Sequence, residues 1–314
     1  MTPLHHETPL FGSGPLSREL GVSVWLKMEA LQPVGSFKLR GIGAACQESV
    51  EAGATRLLCS SGGNAGLAVA YCGAALAVPV DVFVPRTTPE RMREAIRAMG
   101  GTVTEWGDSW DDAHAHALQL AGDFESAAYI HPFDDARIWK GHSTLVGEAA
   151  AQLEAPPGAV VVSVGGGGLL VGVLEGLVAV GWGEVPVLAV ETEGADSFAQ
   201  SVAAGELVTL DRITSLATSL GARTPAPEAL AWVARHEIRT CVVSDRAAVT
   251  ACARFADDHR VLVEPACGAA LSVVYDGVEG LEGVESVLVV VCGGAGVTRK
   301  LLLEWTSREG GLQG

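Results

Sequence analysis

Residues 35–41 read Gly35-Ser36-Phe37-Lys38-Leu39-Arg40-Gly41 and place a single lysine in a short turn bounded by glycines. The residues that follow favour a helix, so Lys38 is predicted at a helix start, close to the positive end of the helix dipole and to Arg40. Both charges, and partial burial beside Phe37, favour the neutral amine, which can act as a nucleophile. The alternative is an ordinary solvated lysine on a helix surface, and this heptapeptide alone does not decide between them.

Short β-branched runs alternate with longer helical patterns along the rest of the chain. The runs 160–162 and 287–291 are apolar without alternation, which is typical of strands covered on both faces. Strand–helix–strand order of this kind implies parallel sheets with right-handed crossovers. The predicted strands are 22–28, 57–59, 81–84, 102–105, 129–130, 159–164, 187–190, 241–243 and 286–291, and the predicted helices include 65–76, 89–99, 111–120 and 246–257. The sequence therefore predicts an α/β fold with mainly parallel sheets.

Composition restricts the class of protein. The chain has 314 residues, of which 48% are hydrophobic, so it can bury a substantial core. The formal net charge of −16 argues against nucleic acid and anionic membrane surfaces as partners. The polar start predicts no secretory signal, and no apolar run resembles a membrane span.

The seven cysteines are scattered and form no C-x-x-C pair. This spacing predicts neither a disulfide framework nor a structural zinc site, and it indicates a reducing cytoplasm. His114 and His116 are two residues apart on a predicted helix, so they point to different sides and do not suggest a transition-metal site.

A second informative stretch, Ser60-Ser61-Gly62-Gly63-Asn64-Ala65-Gly66, follows a predicted strand and opens a helix. Its backbone N–H groups are available to a carboxylate, with the helix dipole and side-chain hydroxyls helping. Asn64 offers both a donor and an acceptor. The alternative is a glycine-softened helix cap, for which Ser61 and Asn64 are also suitable.

A third stretch, Gly165-Gly166-Gly167-Gly168, connects the strand 159–164 to a helix beginning near Leu169. Four glycines permit positive φ and close approach, so successive amides can surround a phosphate at the helix start. The run lacks the spaced G-x-G-x-x-G pattern of dinucleotide sites, and no Lys-Ser or Lys-Thr follows as in a P-loop. A small phosphorylated cofactor without adenosine fits better.

The fourth stretch, Cys292-Gly293-Gly294-Ala295-Gly296, follows an apolar strand, at the end where ligands of parallel sheets collect. The Cys292 thiol can hydrogen-bond weakly to a ring nitrogen. The alternative is a small buried apolar residue.

Together these four stretches match a pyridoxal phosphate site, and the sequence resembles the L-serine dehydratases and serine dehydratase-like proteins almost end to end. These are fold-type II pyridoxal phosphate enzymes, with a fold like that of the tryptophan synthase β chain. The matching segments are 36–41, 60–66, 131–135 (His-Pro-Phe-Asp-Asp), 138–142 (Ile-Trp-Lys-Gly-His), 163–170, 180–183, 191–195, 264–270 and 291–294.

The resemblance implies a role for each matching residue. Lys38 would hold the cofactor as a Schiff base, Phe37 would pack against its ring, and Asn64 would bond its 3′ oxygen. The phosphate would be held by Gly165, Gly166, Gly167, Gly168 and Leu169, and Cys292 would face the ring nitrogen. The substrate carboxylate would be received by Ser61, Gly62, Asn64 and Ala65. A monovalent cation, K⁺ or Na⁺, would be bound by Gly165, Glu191, Ala195, Leu220 and Ala222.

The implied reaction is β-elimination, which converts L-serine to pyruvate and ammonia, and L-threonine to 2-oxobutanoate and ammonia. Serine racemases of this fold carry a serine at the position of Gly62, so the sequence favours elimination over racemisation. Gly62 is smaller than the alanine found in many serine dehydratases, which bears on turnover rate and substrate size. At Ala295-Gly296 the relatives usually have a polar residue and Asn, and this difference is expected to loosen the support of Cys292. The alternatives are a non-catalytic metabolite-binding homologue, a racemase, and a nicotinamide-dependent dehydrogenase that uses the tetraglycine turn.

The resemblance also predicts two doubly wound domains with the cofactor in the cleft between them. The large domain would comprise residues 1–31 and 136–314, and the small domain residues 32–135. We expect a cytoplasmic homodimer acting on a small hydroxy amino acid. The homodimer rests on the resemblance alone.

Overall fold

The computed structural model describes residues 1–124, 126–277, 280–281 and 283–310. The strands are β1 Leu10–Gly12, β2 Ser23–Lys27, β3 Arg56–Cys59, β4 Val80–Val84, β5 Thr102–Glu105, β6 Ala127–Tyr129, β7 Ala159–Ser163, β8 Val187–Thr192, β9 Ile238–Val243 and β10 Ser286–Val290. The helices are α1 Gly14–Leu20, α2 Lys38–Glu51, α3 Asn64–Leu76, α4 Glu90–Ala98, α5 Trp110–Asp123, α6 Ala136–Gln152, α7 Gly168–Ala179, α8 Ser197–Ala204, α9 Pro227–Trp232, α10 Asp245–His259, α11 Pro265–Asp276 and α12 Arg299–Gly310. Short 3₁₀ turns lie at Glu29–Leu31 and Thr218–Leu220.

The chain divides into two compact units. Unit 1 comprises Met1–His6 and Gln32–His142, and unit 2 comprises Glu7–Leu31 and Ser143–Gly314. The domain limits predicted from the sequence, with a small domain at 32–135, stay a prediction, because compactness alone does not test which segments fold or move together.

Unit 1 contains a four-stranded parallel sheet in the order β5-β4-β3-β6. Neighbouring parallel strands end at the same edge of a sheet, so the segments that follow β3 and β4 leave that edge next to each other. The connection from β3 to β4 is α3, in which nearly every residue from Asn64 to Gly73 is buried. A helix that is apolar on all sides packs within a core. This packing fixes the position of the start of α3 after the end of β3.

Unit 2 contains a six-stranded sheet in the order β1-β2-β10-β7-β8-β9, parallel except for β1. All residues of β7 and β8 are buried, and α11 is buried from Pro265 to Tyr275. Because β7 and β10 are adjacent and parallel, the glycine run after β7 and the Cys292 segment after β10 leave the same edge of this sheet.

The predicted α/β fold with mainly parallel sheets is confirmed, and every predicted strand is present with ends that differ by a few residues. The sequence missed β1, which pairs antiparallel with β2 from Leu10 to Gly12. Three residues are too few to show an alternating pattern, so this strand is defined by its partner. Within the described part of the chain, no helix combines the length and apolar character that crossing a membrane requires.

Candidate active site

Lys38 is the first residue of α2 and is half-buried. Its Nζ donates a hydrogen bond to the Pro132 carbonyl oxygen at 2.6 Å and lies 5.2 Å from the centroid of the Phe37 ring. The amine is therefore positioned by unit 1 at the helix start, as the sequence predicts, and differs from a solvated surface lysine.

Glycines allow the helix that carries Lys38 to pack closely against the first turns of α6. A Cβ on Gly41 would lie 2.5 Å from the Ile138 carbonyl oxygen, and a Cβ on Gly141 would lie 2.6 Å from the Gly41 Cα. Since Cβ atoms do not approach backbone this closely, both positions require glycine at the present spacing of the two helices.

His142 lies behind Phe37, with ring centroids 4.9 Å apart, and its Nδ1 accepts a hydrogen bond from the Gly41 amide at 3.2 Å. Burial, reinforced by the charges of Lys38 and Arg40, lowers the pKa of His142 well below its usual value. A neutral ring that accepts at Nδ1 carries its proton on Nε2, and this atom is buried without a hydrogen-bond partner. His142 thus supports Phe37 and the first turn of α2 as an uncharged group.

The loop that holds the Lys38 amine is itself fixed by hydrogen bonds. His131 Nδ1 accepts from the Asp134 amide at 2.7 Å and from the Phe133 amide at 3.2 Å. Burial, together with the charges of His114 and Lys38, lowers the pKa of His131 to about 4. The ring therefore remains neutral, and able to accept these bonds, at physiological pH.

The turn after β3 has the geometry of an anion site. A Cβ on Gly66 would lie 1.8 Å from the Ser61 carbonyl oxygen, so this glycine lets the turn fold tightly over the start of α3. Asn64 is buried at the first position of the helix. The amides of Gly62 and Ala65 donate no hydrogen bond to any residue that the structure describes. Two unused donors at a helix start fit a carboxylate.

A partly buried chain of hydrogen bonds supports this turn through Ser60. Ser60 Oγ lies 2.6 Å from Tyr129 Oη, and Tyr129 Oη lies 2.7 Å from His114 Nδ1. Trp110 stacks on His114, with centroids 4.5 Å apart. Burial lowers the pKa of His114 and raises that of Tyr129, so this network is uncharged.

The tetraglycine run of unit 2 forms a second anion site. Gly167 has a φ of 86°, and a Cβ there would lie 2.6 Å from the Ala229 Cβ. A Cβ on Gly165 would lie 2.9 Å from the Leu220 Cα. Across the described ranges, nothing accepts a hydrogen bond from the amides of residues 165–169. These donors converge at the start of α7 and fit a phosphate group.

Cys292 is buried after β10, in the same unit. A hydrogen bond with Cys267 and burial raise the pKa of its thiol well above the usual value, so the group is neutral. Glu264 supports the glycine turn: its Oε2 accepts from the Gly296 amide at 3.2 Å, and a Cβ on Gly294 would lie 2.0 Å from its Cδ. The small residues after Cys292 therefore make room for a carboxylate. The loosening of the support of Cys292 at Ala295-Gly296 stays a prediction.

The residues predicted to bind a cation lie near the same strand ends of unit 2. Glu191 is buried, and its two oxygens accept from the amides of Phe198 at 2.9 Å and Ala199 at 2.7 Å. Burial raises the pKa of Glu191 to about 8, although these two hydrogen bonds oppose the shift. The Ala222 carbonyl accepts from Ser197 Oγ at 2.8 Å, and Ala195 bridges back to Thr192.

The predicted site residues thus fall into two groups. Unit 1 brings together Phe37, Lys38, Ser61, Gly62, Asn64 and Ala65, and unit 2 holds Gly165 to Leu169, Glu191, Ala195, Leu220, Ala222 and Cys292. Sequence reasoning assigned no role to His131, Pro132, His142 or Thr88. The first three lie in segments quoted for the resemblance, and Thr88 follows the end of a parallel strand, which is a position where ligands collect.

Comparison with known proteins gives evidence on the family of this chain that is independent of the geometry of the site. A family model described as pyridoxal-phosphate dependent enzyme matches residues 1–293. The chain is 47% identical to the rat protein named serine dehydratase-like, over 96% of this chain and 94% of the relative. It is also 47% identical to the human L-serine dehydratase/L-threonine deaminase, over 94% of this chain and 93% of the relative. A crystal structure of a fungal L-serine ammonia-lyase from Rhizomucor miehei superposes with a TM-score of 0.91 at 40% identity, over 98% of this chain and 99% of that one.

Proposed function

The chain belongs to the pyridoxal-phosphate dependent enzyme family, and we propose that it is an ammonia-lyase that acts on L-serine and L-threonine. L-Serine would yield pyruvate and ammonia, and L-threonine would yield 2-oxobutanoate and ammonia. The observation that carries this proposal is the Lys38 amine, held at 2.6 Å by the Pro132 carbonyl in the unit that also bears the Ser61–Ala65 anion turn. The similarity to a human dehydratase and a fungal ammonia-lyase over nearly the whole chain supports the same reaction.

The residues that would hold the cofactor have suitable chemistry. Lys38 would bind its aldehyde carbon, the amides of residues 165–169 would hold its phosphate, and Phe37 and Asn64 would contact its ring. The neutral Cys292 thiol would contact the ring nitrogen without supplying a positive charge. When bound, pyridoxal phosphate supplies an electron-accepting ring that stabilises negative charge on the substrate α-carbon.

Once the substrate amine has replaced it on the cofactor aldehyde carbon, the released Lys38 amine would serve as the base that removes the α-proton. The Pro132 carbonyl accepts only one of the protons of this amine and thereby orients it. Because the carbonyl is fixed by the His131 loop, the amine does not depend on solvent for its position. The anion turn, with the unused amides of Gly62 and Ala65, would hold the substrate carboxylate while the proton moves to Lys38 Nζ.

A racemase must also deliver a proton to the opposite face of the α-carbon. Residue 62, which would carry that group according to the resemblance, is glycine and has no side chain to do so. We therefore favour elimination. A catalytically weak homologue that binds pyridoxal phosphate and metabolites is the second candidate, because Gly62 leaves the substrate turn without a side chain at this position.

We further propose a K⁺ or Na⁺ ion at Gly165, Glu191, Ala195, Leu220 and Ala222. Oxygen ligands of this kind suit a hard cation, and a nearby cation would stabilise the ionised form of Glu191, whose pKa burial raises. A homodimer is proposed on the resemblance alone. A cytoplasmic location is proposed on the seven free cysteines, which suit a reducing compartment. Light scattering of the purified protein tests the homodimer.

The function is tested by incubating the purified, pyridoxal phosphate-loaded enzyme with L-serine, L-threonine and their D-isomers, in K⁺ and in Na⁺. Pyruvate, 2-oxobutanoate and D-serine are measured in the same reactions. We expect 2-oxo acids from the L-isomers, little D-serine, and faster turnover in one of the two cations. D-Serine as the main product would identify a racemase, and cofactor binding without any product would identify the non-catalytic homologue.

A further inference from the structure

Thr88 occupies the space that a side chain on residue 62 would need. A Cβ built on Gly62 would lie 2.6 Å from Thr88 Cγ2 and 2.8 Å from Thr88 Oγ1. The topology explains this proximity, because β3 and β4 are parallel neighbours and Gly62 and Thr88 lie in the segments that follow their ends. Thr88 is therefore part of the wall of the Ser61–Ala65 turn.

The backbone holds Thr88 in this position. Its amide donates to the Pro85 carbonyl oxygen at 2.9 Å, which closes a turn directly after β4. The next residue, Pro89, caps α4 and restricts the backbone of Thr88. The side chain is thus aimed at residue 62 by a short, tied segment.

The Thr88 hydroxyl is unused by the protein. Thr88 is only 9% exposed, yet its Oγ1 makes no hydrogen bond with any residue in the described ranges. Because Oγ1 is not completely enclosed by the protein, this hydroxyl remains able to bond a ligand at the turn. The unused amides of Gly62 and Ala65 lie in the same turn, which identifies an anion as the shared partner.

We propose that Thr88 is a further substrate-binding residue, whose hydroxyl donates a hydrogen bond to the carboxylate of the amino acid held at the Ser61–Ala65 turn. The inference rests on the proposed function, since it assigns a new contact to the same substrate. A carboxylate only accepts hydrogen bonds, and a threonine hydroxyl can donate one. Gly62 is then small because the group that contacts the ligand reaches the turn from the neighbouring strand.

The test removes the hydroxyl and keeps the shape of the side chain. Thr88→Val is isosteric, Thr88→Ser retains the hydroxyl, and Thr87→Val makes the same change at the adjacent, exposed residue. Calorimetry on the pyridoxal phosphate-loaded proteins gives the Kd of L-alanine, which has the carboxylate but no β-hydroxyl. The KM and kcat for L-serine are measured on the same preparations, and circular dichroism checks the fold, with Thr88→Ala as a second hydroxyl-free variant.

We expect Thr88→Val to raise both the Kd of L-alanine and the KM of L-serine about tenfold, as for the loss of one hydrogen bond to a charged group. Thr88→Ser should bind nearly as well as the unmodified protein, and Thr87→Val should change neither constant. An unchanged Kd for L-alanine in folded Thr88→Val or Thr88→Ala would overturn the assignment. A raised KM for L-serine alone would also overturn it, because the hydroxyl would then contact the substrate β-hydroxyl. Absence of pyruvate with the unmodified enzyme would instead contradict the proposed function.

Discussion

The space available to a side chain at residue 62 is set by Thr88, a neighbour that is distant in sequence. Thr88 lies within 2.8 Å of the position of a Cβ at residue 62, whereas among the described residues a Cβ at residue 63 would meet the Ser61 hydroxyl oxygen at 3.9 Å. Gly62 and Gly63, two adjacent glycines in one turn, therefore differ in the space that is available for a side chain. Packing against Thr88 therefore disfavours a larger residue at 62, independently of any chemical role.

We predict that Gly62→Ala lowers the free energy of unfolding by about 1–2 kcal/mol, the usual cost of overpacking. Gly63→Ala, the matched control, should cost less because its Cβ meets only an ordinary contact. Thr88→Ala removes the two clashing atoms, so the double variant Gly62→Ala/Thr88→Ala should be more stable than the sum of the single changes predicts. Urea unfolding of the four proteins measures the coupling, and additive effects would contradict the packing argument.

At the scale of elements, the approach of α2 to α6 determines where Lys38 lies. The contact is made by Gly41 and Gly141, whose backbones meet without side chains between them. A Cβ on Gly141 would meet the Arg40 carbonyl oxygen and the Gly41 Cα, which are backbone atoms, so a rotamer change cannot relieve these contacts. Any larger residue must move a helix.

Gly141→Ala is therefore expected to destabilise the protein by about 1–3 kcal/mol and to weaken pyridoxal phosphate binding, because displacement of α2 moves Lys38. Gly147 lies in the same helix with no atom near its Cβ position, so Gly147→Ala should stabilise by about 0.5–1 kcal/mol. Thermal unfolding and an absorbance titration of the cofactor check both variants. Equal behaviour of the two alanine variants would show that the helix contact is not what positions Lys38.

Local sequence patterns predicted most of the strands and the turns that follow them. Buried runs such as 160–162 and 287–291 identify strands because their apolar character is continuous, and the glycine-rich stretches identify the turns that follow. The strand β1, the packing of Gly41 on α6 and the position of Thr88 beside Gly62 each depend on contacts between distant segments. No local pattern encodes such contacts, which is why the residue with the new proposed role was missed.

For the whole molecule, the buried carboxyl of Glu191 links stability to pH and to salt. Its pKa is raised from 4.5 to about 8 by burial, so between these values the unfolded chain binds fewer protons at this site than the folded chain. The contribution of Glu191 to stability is therefore fully present below pH 4.5 and is lost as the pH rises towards 8. His131 acts in the opposite direction, because its lowered pKa makes stability fall as the pH drops from 6.5 towards 4.

We predict that the difference in unfolding free energy between the unmodified protein and Glu191→Gln falls as the pH rises from 5 to 8 without K⁺ or Na⁺. Addition of the bound cation should reduce this fall, since it stabilises the ionised carboxylate. Glu193→Gln changes an exposed residue of the same segment and serves as the control. A difference that is independent of pH and of both cations would contradict a cation site at Glu191.

We propose that the amine of Lys38 forms the covalent link to pyridoxal phosphate. The most direct measurement is borohydride reduction of the pyridoxal phosphate-loaded protein, followed by proteolysis and mass spectrometry, with Lys38→Ala and Lys140→Ala treated in parallel. We expect a phosphopyridoxyl group on the peptide that contains Lys38. This group should be lost in Lys38→Ala, together with the visible absorbance and turnover, and retained in Lys140→Ala. A modified peptide elsewhere in the chain, or turnover that persists in Lys38→Ala, would contradict it.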